Sequence, residues 1–285
     1  MRRIRFAVRL RVPVLSVTER SGWLVEGGAG WGECSPLPSW SPDEVQAAER
    51  AATEAAELEF PATLRTHVDV NAMVPRVAPD DAARLALDSG CKTVKVKVGD
   101  ELGLDRVAAV RGACGPAVKI RVDANGAWDV DEALRQILLL RQYDIELAED
   151  PVASIDDVAR VRRKSPVPIA VEMSIRTVDD AARLNRREAA DAVVLKPQRI
   201  GGVRAALQAA DAAGIPAIAS SALETSVGLC AVLALAAALP DIPFAHGIGT
   251  ALLLETDVTI APLLPIDGAL TPRRVVPDAA LAAQL

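Results

Sequence analysis

Residues 93–99 read TVKVKVG, residues 118–124 VKIRVDA and residues 145–150 IELAED: three short apolar runs carrying charged side chains, each separated from the next by about one helix. The same unit continues in both directions. Before these runs lies VDVNAMV (68–74), and after them come PIAVEM (168–173), AVVLKP (192–197), PAIASSA (216–222) and FAHGIG (244–249). Between them stand segments such as DDAARLALDSG (80–90), DVDEALRQILLLRQY (129–143), SIDDVARVRRKS (154–165) and VRAALQAADAAG (203–214), whose apolar residues recur at helical spacing. Strict alternation of strand and helix implies parallel strands joined by right-handed crossovers. Eight strands with seven intervening helices predict an α/β fold, a (β/α)8-type barrel. A doubly wound open sheet would carry a glycine-rich phosphate loop after its first strand, and VPRVAPDDA (74–82) is not one.

A barrel gathers the C-terminal ends of its strands around one opening. The polar residues at those ends are Lys97, Asp123, Glu149, Glu172, Lys196 and Ser220, at steps of 26, 26, 23, 24 and 24 residues. Successive strands thus present a lysine, three carboxylates, a lysine and a hydroxyl. Side chains two apart on a strand share a face, so Lys95 points where Lys97 points. Each residue has an ordinary structural reading: an Asx turn for Asp123, a turn for Glu149-Asp150-Pro151, a solvated ammonium for Lys196. The regular step argues for a shared site. Three converging carboxylates raise one another's pKa unless a cation joins them, and hard oxygen donors favour Mg2+. A lysine beside such a cation has its pKa lowered and can act as a base near neutral pH.

Composition narrows the alternatives. The chain has 285 residues, 51% apolar, 3% aromatic and 25% charged, with a net charge of -6. An acidic, aromatic-poor protein lacks the electrostatic footprint and the stacking surfaces of a nucleic-acid binder. The longest uncharged apolar run, Val227 to Leu239, is too short to cross a bilayer, and arginines interrupt MRRIRFAVRLRVPV where a signal peptide would be apolar. These features predict a cytoplasmic protein that engages no membrane. Four scattered cysteines and two histidines disfavour thiolate or multi-histidine zinc sites. Only six of the 32 basic residues are lysines, and three of those, Lys95, Lys97 and Lys196, stand where a group able to lose its proton would be needed.

The first sixty residues have a different texture. RIRFAVRLRV (3–12), GWLVEGG (22–28) and GWGE (30–33) read as strands around glycine turns. Ser41 and Glu44 form a capping-box pattern ahead of an alanine-rich helix over 42–58. The expected organisation is a small N-terminal α+β capping domain (1–66), the barrel (67–260) and a tail (261–285) packing back toward the cap.

VKVKVG, RVDANGAW, IELAEDP, IAVEMS, LKPQRIGG, SSALETSVG and HGIGT, in that order, resemble the enolase superfamily in its muconate cycloisomerase-like branch. The likeness begins at GWGECSPLPSW (30–40), similar to the family's substrate-capping loop. It implies a reaction: syn dehydration of 2-succinyl-6-hydroxy-2,4-cyclohexadiene-1-carboxylate to o-succinylbenzoate in menaquinone biosynthesis, through a metal-stabilised enediolate. It also implies roles. Lys97 would remove the α proton, Lys95 would lower the pKa of Lys97 and help place the substrate carboxylate, and Lys196 would stabilise the intermediate from the opposite face. Asp123, Glu149 and Glu172 would hold Mg2+, with Mn2+ a possible substitute. Asn125, Ser220, Ser221 and Gly247 would line the site of a small-molecule carboxylate.

Three features depart from the family pattern or leave alternatives open. Relatives usually show Asp-Glu-Ser where this chain has Glu172-Met173-Ser174, so the third ligand is one methylene longer. The C-terminal stretch after the barrel is short, which would weaken oligomer interfaces and favours a monomer while leaving the oligomeric state open. The acidic Asp-x-Asp motif typical of dipeptide epimerases is absent from HGIGTALLL (246–254). N-succinylamino acid racemisation stays open, muconate lactonisation is weaker, and a noncatalytic metal-stabilised barrel is the rival of another class. Trp40 could shield the pocket or anchor the cap.

Overall fold

The computed structural model describes residues 2–240 and 242–278. The last part of the expected tail, residues 279–285, lies outside the described residues.

The N-terminal unit is an antiparallel sheet of β1 (Arg2–Val14), β2 (Val17–Gly27) and β3 (Gly30–Cys34), covered by α1 (Pro42–Glu57). The β1–β2 turn places Leu15 and Ser16 at φ 49° and 67°, the left-handed pair that matches hairpin twist. α1 begins as its sequence dictates, with the Ser41 hydroxyl accepting from Glu44 N and the Glu44 carboxylate accepting from Ser41 N. Its buried face is all alanine apart from Glu44, and this lets helix and sheet approach closely. A Cβ on Gly32 would stand 2.0 Å from Ala52 O, so β3 tolerates only glycine there.

Downstream follow β4 (Val68–Asp69), β5 (Asn71–Val74), α2 (Pro79–Asp88), β6 (Thr93–Lys97), α3 (Gly103–Cys114), β7 (Lys119–Asp123), α4 (Val130–Leu140) and β8 (Ile145–Glu149). Then come α5 (Ile155–Arg162), β9 (Ile169–Val171), α6 (Val178–Arg186), β10 (Ala192–Leu195), α7 (Pro197–Ile200), α8 (Val203–Ala213), β11 (Ala217–Ala219), α9 (Ser226–Ala238) and β12 (Ala269–Leu270). Strands β5 to β11 form one parallel sheet in sequence order. The expected eighth strand is reduced to two residues. His246 N donates to Asp69 O (2.7 Å) and Asn71 N to His246 O (2.8 Å), while Gly247 N donates to Ala219 O (2.8 Å) and Ser221 N to Gly247 O (2.9 Å). These bonds join β5 to β11 and close the barrel. The glycines of FAHGIG explain the brevity: they sit where Ser220 and Asn71 approach closely, and glycine weakens strands.

The barrel interior is layered. Leu147, Ala170, Ala192, Val194 and Ile218 pack with Ile242 and Phe244 to seal the lower half. Arg121 lies over the Phe244 ring, 5.5 Å from its centroid, and bonds Glu146 and Ala245 O. The upper layer is polar, so its chemistry rests on a packed floor.

α9 realises the run Val227 to Leu239 and is buried on all sides, as a helix apolar all round must be. It packs on β11 and α8 on the barrel side and on β3 of the cap. The cap also supplies its N-terminal partner. Buried Glu33 of β3 accepts from Thr225 N (3.1 Å), Thr225 Oγ1 and Gly228 N (3.0 Å), placing a carboxylate on the positive end of the helix. Replacing Glu33 by alanine leaves these buried donors unsatisfied and is expected to destabilise the fold by about 3 kcal/mol, seen as a lower denaturant midpoint at unchanged m-value.

The tail stitches back in two places. β12 pairs antiparallel with β4. Arg274 donates to Ala55 O and Leu58 O and covers the Phe60 ring at 3.9 Å. Its cation stands at the C-terminus of α1, whose last turn has no basic residue of its own.

Candidate active site

At the C-terminal mouth the inward-facing strand ends meet. Lys97 Nζ donates to Asp123 Oδ2 (2.6 Å) and Asn125 Oδ1 (2.8 Å). Lys95 Nζ donates to Glu149 Oε1 (2.8 Å) and lies 3.2 Å from Asp123 Oδ2. Across the opening, Lys196 Nζ donates to Glu172 Oε2 (2.9 Å). Glu172 and Lys196 stand one residue beyond β9 and β10, where the strands have released them toward the mouth. Ser220, Ser221 and Gly247 line the same cavity as Lys95, Lys97 and Lys196. The Ser221 hydroxyl is shared between Thr250 Oγ1 and Leu223 N. Asp123 is both a site residue and an Asx turn, since its Oδ1 accepts from Asn125 N (3.0 Å), with Asn125 at φ 52°.

Burial and charge set the two lysines apart, though each is only 7% exposed. Burial lowers the pKa of Lys97, and the Lys95 ammonium adds to this against the pull of Asp123. For Lys95 burial acts the same way, but Glu149 and Asp123 together outweigh it and raise its pKa. One ammonium is easier to deprotonate and its neighbour harder. Among the acids, burial acts against ionisation of Asp123, yet Lys97 and Lys95 hold its pKa below the ordinary range. Glu149 is raised, chiefly by burial. Asp150 is raised well above the ordinary value by burial, with Glu172, Glu149 and Asp123 adding repulsion.

Carboxylate oxygens of Asp123, Glu149 and Asp150, all buried, lie within 4.8 Å of one another. Such a set of crowded hard donors fits a divalent cation. Glu172 is turned elsewhere: its Oε1 accepts from Arg199 Nη1 (2.6 Å) and its Oε2 from Lys196. Against the cost of burial, these two cations hold its pKa at about 2. Asp150 has a backbone task, accepting from Glu172 N and Met173 N (3.0 Å each) and so fixing the segment that carries Glu172.

Two participants escaped sequence reasoning. Asp150 read as a turn residue beside Glu149, and no sequence signal separates the two. Arg199 stands inside LKPQRIGG (195–202), in a chain where arginine is the default cation. The lid is also broader than the loop after β3. Leu37 of that loop reaches the cavity, but so do Val14 and Leu15 of the β1–β2 hairpin. Trp40 packs against Val25, Cys34 and the alanines of α1, and thus anchors the cap.

A parallel barrel with opposed lysines over a carboxylate cluster, roofed by an α+β cap, defines a class of acid–base enzymes acting beside carboxylates. The profile of the enolase C-terminal domain-like family matches residues 78–279, and that of the enolase N-terminal domain-like family residues 5–56. The chain is 51% identical over 275 residues to the o-succinylbenzoate synthase of Thermobifida fusca, covering 95% of this chain and 87% of the relative. It is 42% identical over 281 residues to that of Mycobacterium marinum, covering 96% and 85%. The fold is shared with muconate lactonizing enzyme from Pseudomonas fluorescens (TM-score 0.85, 23% identity, 99% and 97% covered). It is shared too with a dipeptide epimerase from Enterococcus faecalis solved with Mg and a dipeptide (TM-score 0.83, 21% identity, 97% of each chain covered). The chain belongs to the enolase superfamily and, within it, to the family of o-succinylbenzoate synthases.

Proposed function

We propose that this chain is a hydro-lyase that dehydrates 2-succinyl-6-hydroxy-2,4-cyclohexadiene-1-carboxylate to o-succinylbenzoate, a cytoplasmic step of menaquinone biosynthesis. The observation that carries this reading is the split pair Lys95–Lys97 beside Asp123 and Glu149, facing Lys196, in a chain 51% identical to a named synthase. Lys97, neutral when active, takes the proton α to the substrate carboxylate and breaks that C–H bond. The ammonium so formed returns the proton to the hydroxide leaving from the same face, and the ring becomes aromatic with loss of one water. Lys95 keeps its charge and orients the substrate carboxylate. Lys196 holds a positive charge over the opposite face. Asp123 and Glu149 would hold Mg2+, or Mn2+ in its place, with Glu172 as third ligand once an oxygen is freed from Lys196 or Arg199; when bound the cation supplies charge to stabilise the enediolate. Asn125, Ser220, Ser221 and Gly247 shape the wall.

The direct test strips divalent ions from the purified protein with a chelator and follows loss of the cyclohexadiene with and without added Mg2+. No conversion under either condition overturns the reading. A second activity, racemisation of N-succinylamino acids, is favoured by one observation: lysines stand on both sides of the cavity. Exchange of the α proton in D2O from both enantiomers would establish it.

The third ligand has its own test. Replacing Glu172 by alanine is expected to weaken Mn2+ binding, read by titration of the free ion, by at least about 10-fold. Unchanged affinity would transfer the role to Asp150.

A further inference from the structure

The loop between β3 and α1 is tied at both ends to consecutive residues of α7, the single turn that follows Lys196. At its start, Ser35 N donates to Gln198 Oε1 (2.9 Å) and Gln198 Nε2 to Ser35 Oγ (3.2 Å). At its end, Glu44 Oε1 accepts from Arg199 Nε (2.6 Å) while Glu44 Oε2 accepts from Ser41 N (2.8 Å). The other arm of Arg199 reaches Glu172, which also holds Lys196. Gln198, Arg199, Glu44 and Glu172 are all buried. Between the two ties, Leu37 reaches the cavity.

We propose that Gln198 and Arg199 are positioning residues that pre-assemble this loop as a wall of the substrate cavity and set the place of Leu37 relative to Lys196. The inference rests on the dehydration reading above. Other contacts also join cap to barrel: Glu33 binds α9, Arg274 of the tail binds α1, and Arg176, before α6, shares Glu44 Oε1 with Arg199 (2.9 Å). What distinguishes the α7 ties is that both spring from the turn that follows the lysine, two and three residues beyond it. Arginine suits the second tie because its fork reaches two carboxylates in different directions at once, which an ammonium on a flexible stem does not reproduce. A loop left untied must be ordered by the substrate each time it binds, and that cost falls on affinity.

The test uses the full chain with Gln198→Ala, Glu44→Gln and Arg199→Lys. Glutamine at 44 keeps an acceptor for Ser41 N but places an amide against Arg199. Each variant is expected to raise KM about ten-fold, the equilibrium cost of re-ordering one or two side chains. Gln198→Ala and Glu44→Gln should leave kcat within about three-fold, because the ties grip ground state and transition state alike. Arg199→Lys should lower kcat as well, since Glu172 loses a partner. Deuterium exchange in peptides covering 36–41 should accelerate while the rest of the chain and the melting temperature stay near wild type.

Unchanged KM in Gln198→Ala and Glu44→Gln overturns the proposal, whether or not loop exchange accelerates. So does a raised KM accompanied by faster exchange throughout, the mark of a merely structural bond. If the wild type fails to dehydrate the cyclohexadiene, the functional reading falls by itself, and loop exchange alone then supports or overturns the tether.

Discussion

Lys97→Ala is expected to lower kcat for dehydration by about 1,000- to 10,000-fold, the range a well-placed general base supplies, with little change in melting temperature. The variant removes a buried ammonium whose pKa its surroundings depress, and leaves Lys95 to neutralise Asp123 and Glu149. Lys97→Arg should be equally inactive, because arginine keeps the charge but gives up no proton near neutrality. The pH profile supplies the sign. A base works unprotonated, so kcat/KM should rise with pH until Lys97 is neutral and then level off. Burial lowers its pKa, so that limb lies below the ordinary lysine value of 10.5. The limb should vanish in Lys97→Ala. A variant that turns over normally would remove Lys97 from the reaction and leave it a role in stability alone, whereas a noncatalytic barrel would show no turnover in the wild type either.

Removing divalent cations is the second large effect. Chelation is expected to reduce turnover by at least about 1,000-fold, because charge stabilisation by a bound cation contributes several kcal/mol to the transition state and each 1.36 kcal/mol is ten-fold. Mg2+ should restore the rate. The same titration should raise the melting temperature, since a ligand bound only by the native state stabilises it. The carboxylates say why binding is favourable: Asp123, Glu149 and Asp150 crowd together, and Glu149 and Asp150 are pushed toward their protonated forms. Asp123→Asn should abolish both responses. Full activity after exhaustive chelation would remove the metal from the reaction.

Much of this site could be read from residue spacing. One strand plus one helix is a fixed length of chain, so a step of 23 to 26 residues puts Lys97, Asp123, Glu149, Glu172 and Lys196 on successive strands. The two-residue alternation of a strand then places Lys95 with Lys97. Reach is harder to read. Glu172 spends both oxygens on Lys196 and Arg199, a result of its length and of where α7 turns, and neither is a periodic property. Asp150 adopts φ 44° and uses its carboxylate on backbone amides, so adjacency to Glu149 conceals a different task. The eighth strand was legible as apolar chain but not as a strand of two residues, because the close approach of Ser220 and Asn71 to its glycines, as well as glycine's weak strand preference, limits it.

That short closure bears on how such an enzyme changes over evolutionary time. Elsewhere in the barrel a wall residue belongs to a ladder, and altering it disturbs the neighbours that hold the sheet. At His246–Gly247 the wall is sewn by four main-chain bonds, which no side chain makes. Beyond them, Gly249–Leu253 leaves the sheet as a single tight turn lying against β5 and β1. Of that turn Thr250 lines the pocket with Ser220 and Ser221, so a new side chain at this position can remodel the pocket without unpicking the seven-stranded sheet, whereas Gly249 is held by the approach of Asn71 O. Selectivity and foldability are thus separable in this sector, where a family built for one acid has most freedom to acquire another.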